Sequence, residues 1–163
     1  MPIKRIKNRT RLKASIKLTS YLRPYYITVY LWKNQQSLVE NTDIGGLGES
    51  GYVEIESTTL GCFCSKPYLV NLETRKLTVK PLLGEVHLIS KKWTTEIVAH
   101  ELQHAILHRM RVLSPYSREV MKQVKSKYWN GNAEEDIAYE FGGWFDELYS
   151  WLWKKDAYGK HAL

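Results

Sequence analysis

Residues His100, Glu101 and His104 spell H-E-x-x-H, two imidazoles four positions apart with a carboxylate beside the first. Four residues of α-helix advance about 400°, so both rings leave one face, a single turn apart. That spacing lets both ligate one Zn²⁺, with Glu101 offset toward the open side as a general base. The chemistry this would support is metal-assisted hydrolysis of an amide bond. A random chain of this composition carries roughly 0.01 copies of the pattern. The competing explanation is a buried helix whose histidines are satisfied by backbone groups or carboxylates.

The flanking residues favour a helix that lines a cleft. Positions 94–113 contain no Gly or Pro, and Thr94 or Thr95 can cap the start. At 100° per residue, Val98, Ala99, Leu102, Ala105, Ile106, Met110 and Leu113 form a broad apolar side. Glu96, His100, Glu101, His104 and His108 gather opposite it.

Catalytic zinc usually has three protein ligands and an open position for water. The pattern H-E-x-x-H-x-x-G-x-x-H would need Gly at 107 and His at 110, where the chain has Leu107 and Met110. His108 lies a further turn along the same straight helix, too far to share a tetrahedral ion, and is assigned to packing or support. The better source is the C-terminal helix, which opens with Glu134, Glu135 and Asp136 and continues to Glu140. Acids at a helix N-terminus also complement the macrodipole, which accounts for one or two of them. Glu135 shares a face with the small residues Ala138 and Gly142, which predicts close approach to the histidine helix. Glu134, nearer the stripe of Ile137, Phe141, Phe145 and Leu148, competes for the role.

The rest of the chain must position these groups. Residues 11–22 read as a short amphipathic helix with a basic face, and 25–32 (YYITVYLW) as a buried strand. Four glycines in 41–51 mark a loop. Strand-like runs follow at 52–57, 60–64, 68–72, 76–79 and 85–89, closely spaced as in an antiparallel meander. Helical periods then take over at 94–113, 115–128 and about 132–153. Strands first and helices afterwards predict an α+β domain, helices on one face of a curved sheet. The organisation expected is a basic arm or helix over 1–23 and a single domain over 24–163.

With 163 residues, 44% of them hydrophobic, the chain is long enough for one real core. No apolar run approaches the ~20 residues of a membrane span, and no secretory leader is expected. The basic, acid-free start faintly resembles a mitochondrial transit peptide. The net charge of +7 is concentrated there: nine basic residues, Lys4 to Lys33, precede the first acid, Glu40. The remaining 15 basic and 17 acidic residues leave the body at −2. Such an arm suits weak contact with nucleic acid or an acidic protein surface, or serves as a solvated tail. Cys62 and Cys64 would share a strand face, where an i, i+2 bridge is geometrically poor; they are too few for a structural zinc site and read as small apolar residues in a reducing cytoplasm.

The block AHELQHAILH, from Ala99 to His108, resembles the ImmA/IrrE-type metallopeptidases, small gluzincins of bacteria and their mobile elements. That family has a glutamate ligand on a later helix in a pattern like E-x-x-A-x-x-F, which Glu135, Ala138 and Phe141 match. The likeness covers residues 93–145, about a third of the chain. Gln103 stands where the family commonly has Gly, and Tyr139 where it commonly has Asn, so another group must orient the ligating ring. The resemblance implies a zincin-like (minigluzincin) fold and a cytoplasmic endopeptidase, often acting on a regulatory protein. Its metal ligands would be His100, His104 and Glu135, and its base Glu101.

In that reading Tyr128, Tyr139 and His108 are candidate donors to the oxyanion. The run 85–89 is the expected substrate-binding edge, and His87 within it is packed rather than catalytic. Two rivals stand beside it. One is a zinc-stabilised binding module without catalysis; the other is a nucleic-acid-binding protein acting through the basic arm.

Overall fold

A computed structural model describes residues 11–42, 60–67, 69–71, 73–74, 76–123 and 133–156. In chain order its elements are β1 (Leu12–Thr19), β2 (Tyr26–Trp32), α1 (Gln35–Asn41), β3 (Gly61–Ser65), β4 (Leu69–Asn71), β5 (Lys76–Thr78), β6 (Leu82–Ile89), α2 (Thr95–Gln123) and α3 (Ala133–Lys155). The class is α+β.

The first strand corrects the helix expected over 11–22. Leu12, Ala14, Ile16 and Leu18 turn inward while Lys13, Ser15 and Lys17 stay exposed, the period-2 alternation of a half-buried strand. β1 pairs antiparallel with β2, and Trp144 of α3 donates its indole N–H to the Thr19 carbonyl at 3.0 Å. Residues 12–19 therefore belong to the body of the domain and not to an arm.

The main sheet has the order β1-β2-β6-β3. β2 and β6 run parallel at its centre and β3 returns antiparallel to β6, so the sheet is mixed and not the expected meander. β4 and β5 form a separate antiparallel pair. Of the loop expected over 41–51, Asn41 ends α1 and 43–51 lie outside the described residues, as does the strand expected over 52–57. Unforeseen was α1, whose cap is Asn34: its side chain accepts the Ser37 N–H at 2.9 Å.

The two sheet faces carry different cores. On one, Ile27, Val29, Leu31, Val86 and Leu88 meet Val98, Leu102 and Ala105 of α2 and Trp144, Leu148 and Leu152 of α3. On the other, Trp32 and Ile89 pack with Leu38 of α1. Each fully buried Leu contributes about 1.5–3 kcal/mol relative to exposure, so the α2 stripe is what holds the histidine helix to the sheet.

The N-terminus of α2 is fixed by Thr94, whose hydroxyl accepts from the Ile97 N–H at 3.2 Å. The helix runs unbroken to Gln123, through Pro115, where a separate helix was expected. Asp156, 2% exposed, ties three segments together. It accepts from Lys13 of β1 at 2.8 Å, from the Trp93 indole at 3.0 Å and from the Lys91 backbone N–H. Lys91 takes a left-handed φ of 62° in the turn that delivers the chain to α2. Among the described residues no helix is long and apolar enough to cross a membrane.

Candidate active site

α2 places its titratable groups as the spacing predicts. The Nε2 atoms of His100 and His104 face each other at 3.1 Å, the rings edge to face with centroids 4.7 Å apart. Both side chains are exposed. Two nitrogens on one tetrahedral Zn²⁺ at 2.0–2.1 Å would be separated by about 3.3 Å. The pair thus has the bite of a shared ion.

Glu101 is turned about 100° from His100 and is buried, with 7% exposed. It lies under β3. A Cβ on Gly61 would come within 3.3 Å of the Glu101 Cγ and 2.9 Å of the Ile97 Cγ2, so only glycine lets strand and helix approach this closely. The Phe63 backbone N–H hydrogen-bonds the Glu101 carboxylate. Burial pushes the Glu101 carboxyl above the usual carboxylate range, while neighbouring His100 and the Phe63 amide pull it back. A carboxyl so placed is primed to take up a proton.

β3, not β6, is the outer strand beside this helix. β6 is flanked by β2 through 85–89 and by β3 through 85–88, so that run is an inner strand and not the edge expected for a substrate. His87 is buried as expected, stacked on Tyr30 and Trp32, and accepts the Trp32 indole N–H at Nδ1 at 2.9 Å. His108 is half-buried with its ring tilted on Phe63 at 5.8 Å. Burial and nearby Arg111 lower its pKa, which suits the packing role.

α3 does not present the face expected. Glu135, Ala138 and Gly142 are exposed, and among the described residues no neighbouring element comes within 4 Å of where a Gly142 Cβ would stand. The helix buries Asp136, Glu140, Trp144, Leu148 and Leu152 instead. The reason is Arg109, 3% exposed, which the sequence places in the middle of the apolar stripe of α2. Its Nη2 meets Asp136 at 3.1 Å and its Nε meets Glu140 at 2.6 Å. Glu140 also accepts the Tyr21 backbone N–H at 2.9 Å. Burial raises the Glu140 pKa, and Arg109 opposes that shift. Two of the four acids are therefore committed to a buried ion cluster, a role that position 109 between Leu102 and Leu113 could have signalled. Met110, expected in the core, is 39% exposed.

Among the described residues no three His, Cys, Asp or Glu side chains converge into a group that could hold a metal ion. His100 and His104 are brought together; Glu135 is not gathered with them. The Glu134 side chain and Tyr128 lie outside the described residues, and Tyr139 is 48% exposed on α3. No family model matches the chain, and neither a curated protein nor a solved structure matches it.

Proposed function

We propose that the chain is a zinc-dependent endopeptidase that hydrolyses a peptide bond in a protein substrate, a regulatory protein of a bacterium or mobile element by the family resemblance. The observation that carries the reading is the facing pair of His100 and His104 nitrogens at 3.1 Å, with the buried carboxyl of Glu101 on the next position of the same helix. The two imidazoles would hold the ion from α2. The first turn of α3 would supply the third ligand, Glu135, with Glu134 the competitor. Bound there, zinc supplies Lewis acidity and lowers the pKa of water toward ~7.

The chain's own residues do the rest. Glu101 accepts the proton of the attacking water at its carboxylate and returns it to the leaving amine. Its burial keeps bulk water from competing for that proton, and the Phe63 amide keeps the carboxylate aimed. The outer edge of β3 runs past Glu101 and suits an extended peptide added as a further strand. The test is cleavage of an unstructured protein such as casein by the zinc-loaded chain and by Glu101→Gln. The reading predicts loss of about 100-fold or more in the variant, at the scale of one general base, with zinc content unchanged. Equal cleavage by the two proteins would overturn it.

A further inference from the structure

The face of α2 that carries the histidine pair continues past it. At 100° per residue, His100, His104, Leu107 and Arg111 leave the helix within an arc of about 60°, one strip along the helix axis. His100, His104 and Arg111 are exposed, and Leu107 is 43% exposed. β3 runs beside the strip in the same direction: Gly61 lies against Ile97 and Glu101, and the Phe63 ring rests on His108 at 5.8 Å. Charge differs between the two ends. Glu96 stands one turn before His100, in the first turn of α2, where it complements the helix dipole. Arg111 has no such role, because the helix runs on to Gln123. Among the described residues Arg111 joins no ion pair, whereas Lys66 is held by Glu85 at 2.8 Å and Arg109 is buried with Asp136 and Glu140.

We propose that Leu107 and Arg111 select the substrate, a peptide with an apolar residue two positions and an acidic residue four positions before the cleaved bond. This names the substrate class of the peptidase reading and rests on it. The midpoint of the histidine pair is level with Leu102. At 1.5 Å per residue, Leu107 lies about 7.5 Å further along α2 and Arg111 about 13.5 Å. A peptide extended on the outer edge of β3 advances about 3.3 Å per residue, so its second residue from the bond meets Leu107 and its fourth meets Arg111. Side chains two apart on an extended chain share a face, so both point to the helix together. Antiparallel pairing is the commoner and slightly the more stable. A peptide antiparallel to β3 places these residues before the bond. The guanidinium then offers a planar fork of donors to the carboxylate.

The test digests a mixture of proteome-derived peptides with the zinc-loaded full chain and reads the cut sites by mass spectrometry. Acids at the fourth residue before the cut should be enriched about 2- to 5-fold over their background, the scale of an exposed ion pair. Added salt of about 0.5 M should erase the enrichment. In Arg111→Glu the preference should pass to lysine and arginine at the same position. A second arm needs no cleavage. Zinc-loaded Glu101→Gln protein is titrated with a fluorescent peptide carrying glutamate and leucine two positions apart, and with its glutamine counterpart. The glutamate peptide should bind about 2- to 5-fold tighter, and Arg111→Gln in the same background should equalise the two. Cut sites without acid enrichment would overturn the proposal, as would an enrichment that survives in Arg111→Glu. If the chain cleaves nothing, the peptidase reading fails by itself. The titration still decides the strip: equal binding of the two peptides sinks it, and an Arg111-dependent difference upholds it as a peptide-recognition surface.

Discussion

Three residues of α2 and one of β3 carry the proposed chemistry, and they differ in how far the sequence reveals them. His100, Glu101 and His104 are legible because helical geometry converts a spacing of one and four into fixed directions. Gly61 is not legible. A glycine in a strand has many explanations, and only the structure shows that a Cβ there would meet Ile97 at 2.9 Å and Glu101 at 3.3 Å. Ile97 is β-branched on a helix and has one strongly favoured rotamer, so it yields poorly. Gly61→Ala is expected to cost about 1–3 kcal/mol, as overpacking does. It should also lower kcat for peptide cleavage more than it alters KM, because Glu101 shifts while the binding edge remains. Thermal unfolding and steady-state kinetics check both parts.

Periodicity identified β2, β6, and the cores of α2 and α3, yet it misassigned β1. Leu12 and Ile16 are four apart, a separation that fits both a helix turn and two steps of strand alternation; Ala14 and Leu18 between and beyond them decide for the strand. The face that α3 buries departs from the expected one for a different reason. Small residues suggested close approach, but the ion cluster of Arg109, Asp136 and Glu140 fixes the helix rotation instead. With Arg109 at 3% and Glu140 at 1% exposure, removing one partner strands buried charge. Arg109→Leu is expected to cost about 3–5 kcal/mol. That is a large part of the 5–15 kcal/mol that a domain commonly has. Arg109→Leu combined with Asp136→Leu and Glu140→Leu should recover most of it, since apolar replacement of a whole buried cluster is often neutral or stabilising. Denaturant titration of the two variants measures the difference; equal losses would show that the cluster does not act as a unit.

The whole molecule is closed by contacts between distant segments. Lys13 of β1 reaches Asp156 beyond α3 at 2.8 Å, and Asp156 also holds Trp93 at the entrance to α2. The basic start of the chain is thus divided: Arg11, Lys13 and Lys17 belong to or adjoin the sheet. Deleting residues 1–23 removes an entire strand of the core sheet and should abolish cooperative unfolding, whereas deleting 1–10 should keep it. Nucleic-acid binding through the arm must therefore be examined with the shorter deletion. The central claim is that His100 and His104 hold one divalent ion between them, and metal stoichiometry reaches it most directly. Elemental analysis after zinc loading and dialysis should find one zinc per wild-type chain and a clear loss in His104→Ala. Equal zinc in the two proteins, or none in the wild type, would contradict it.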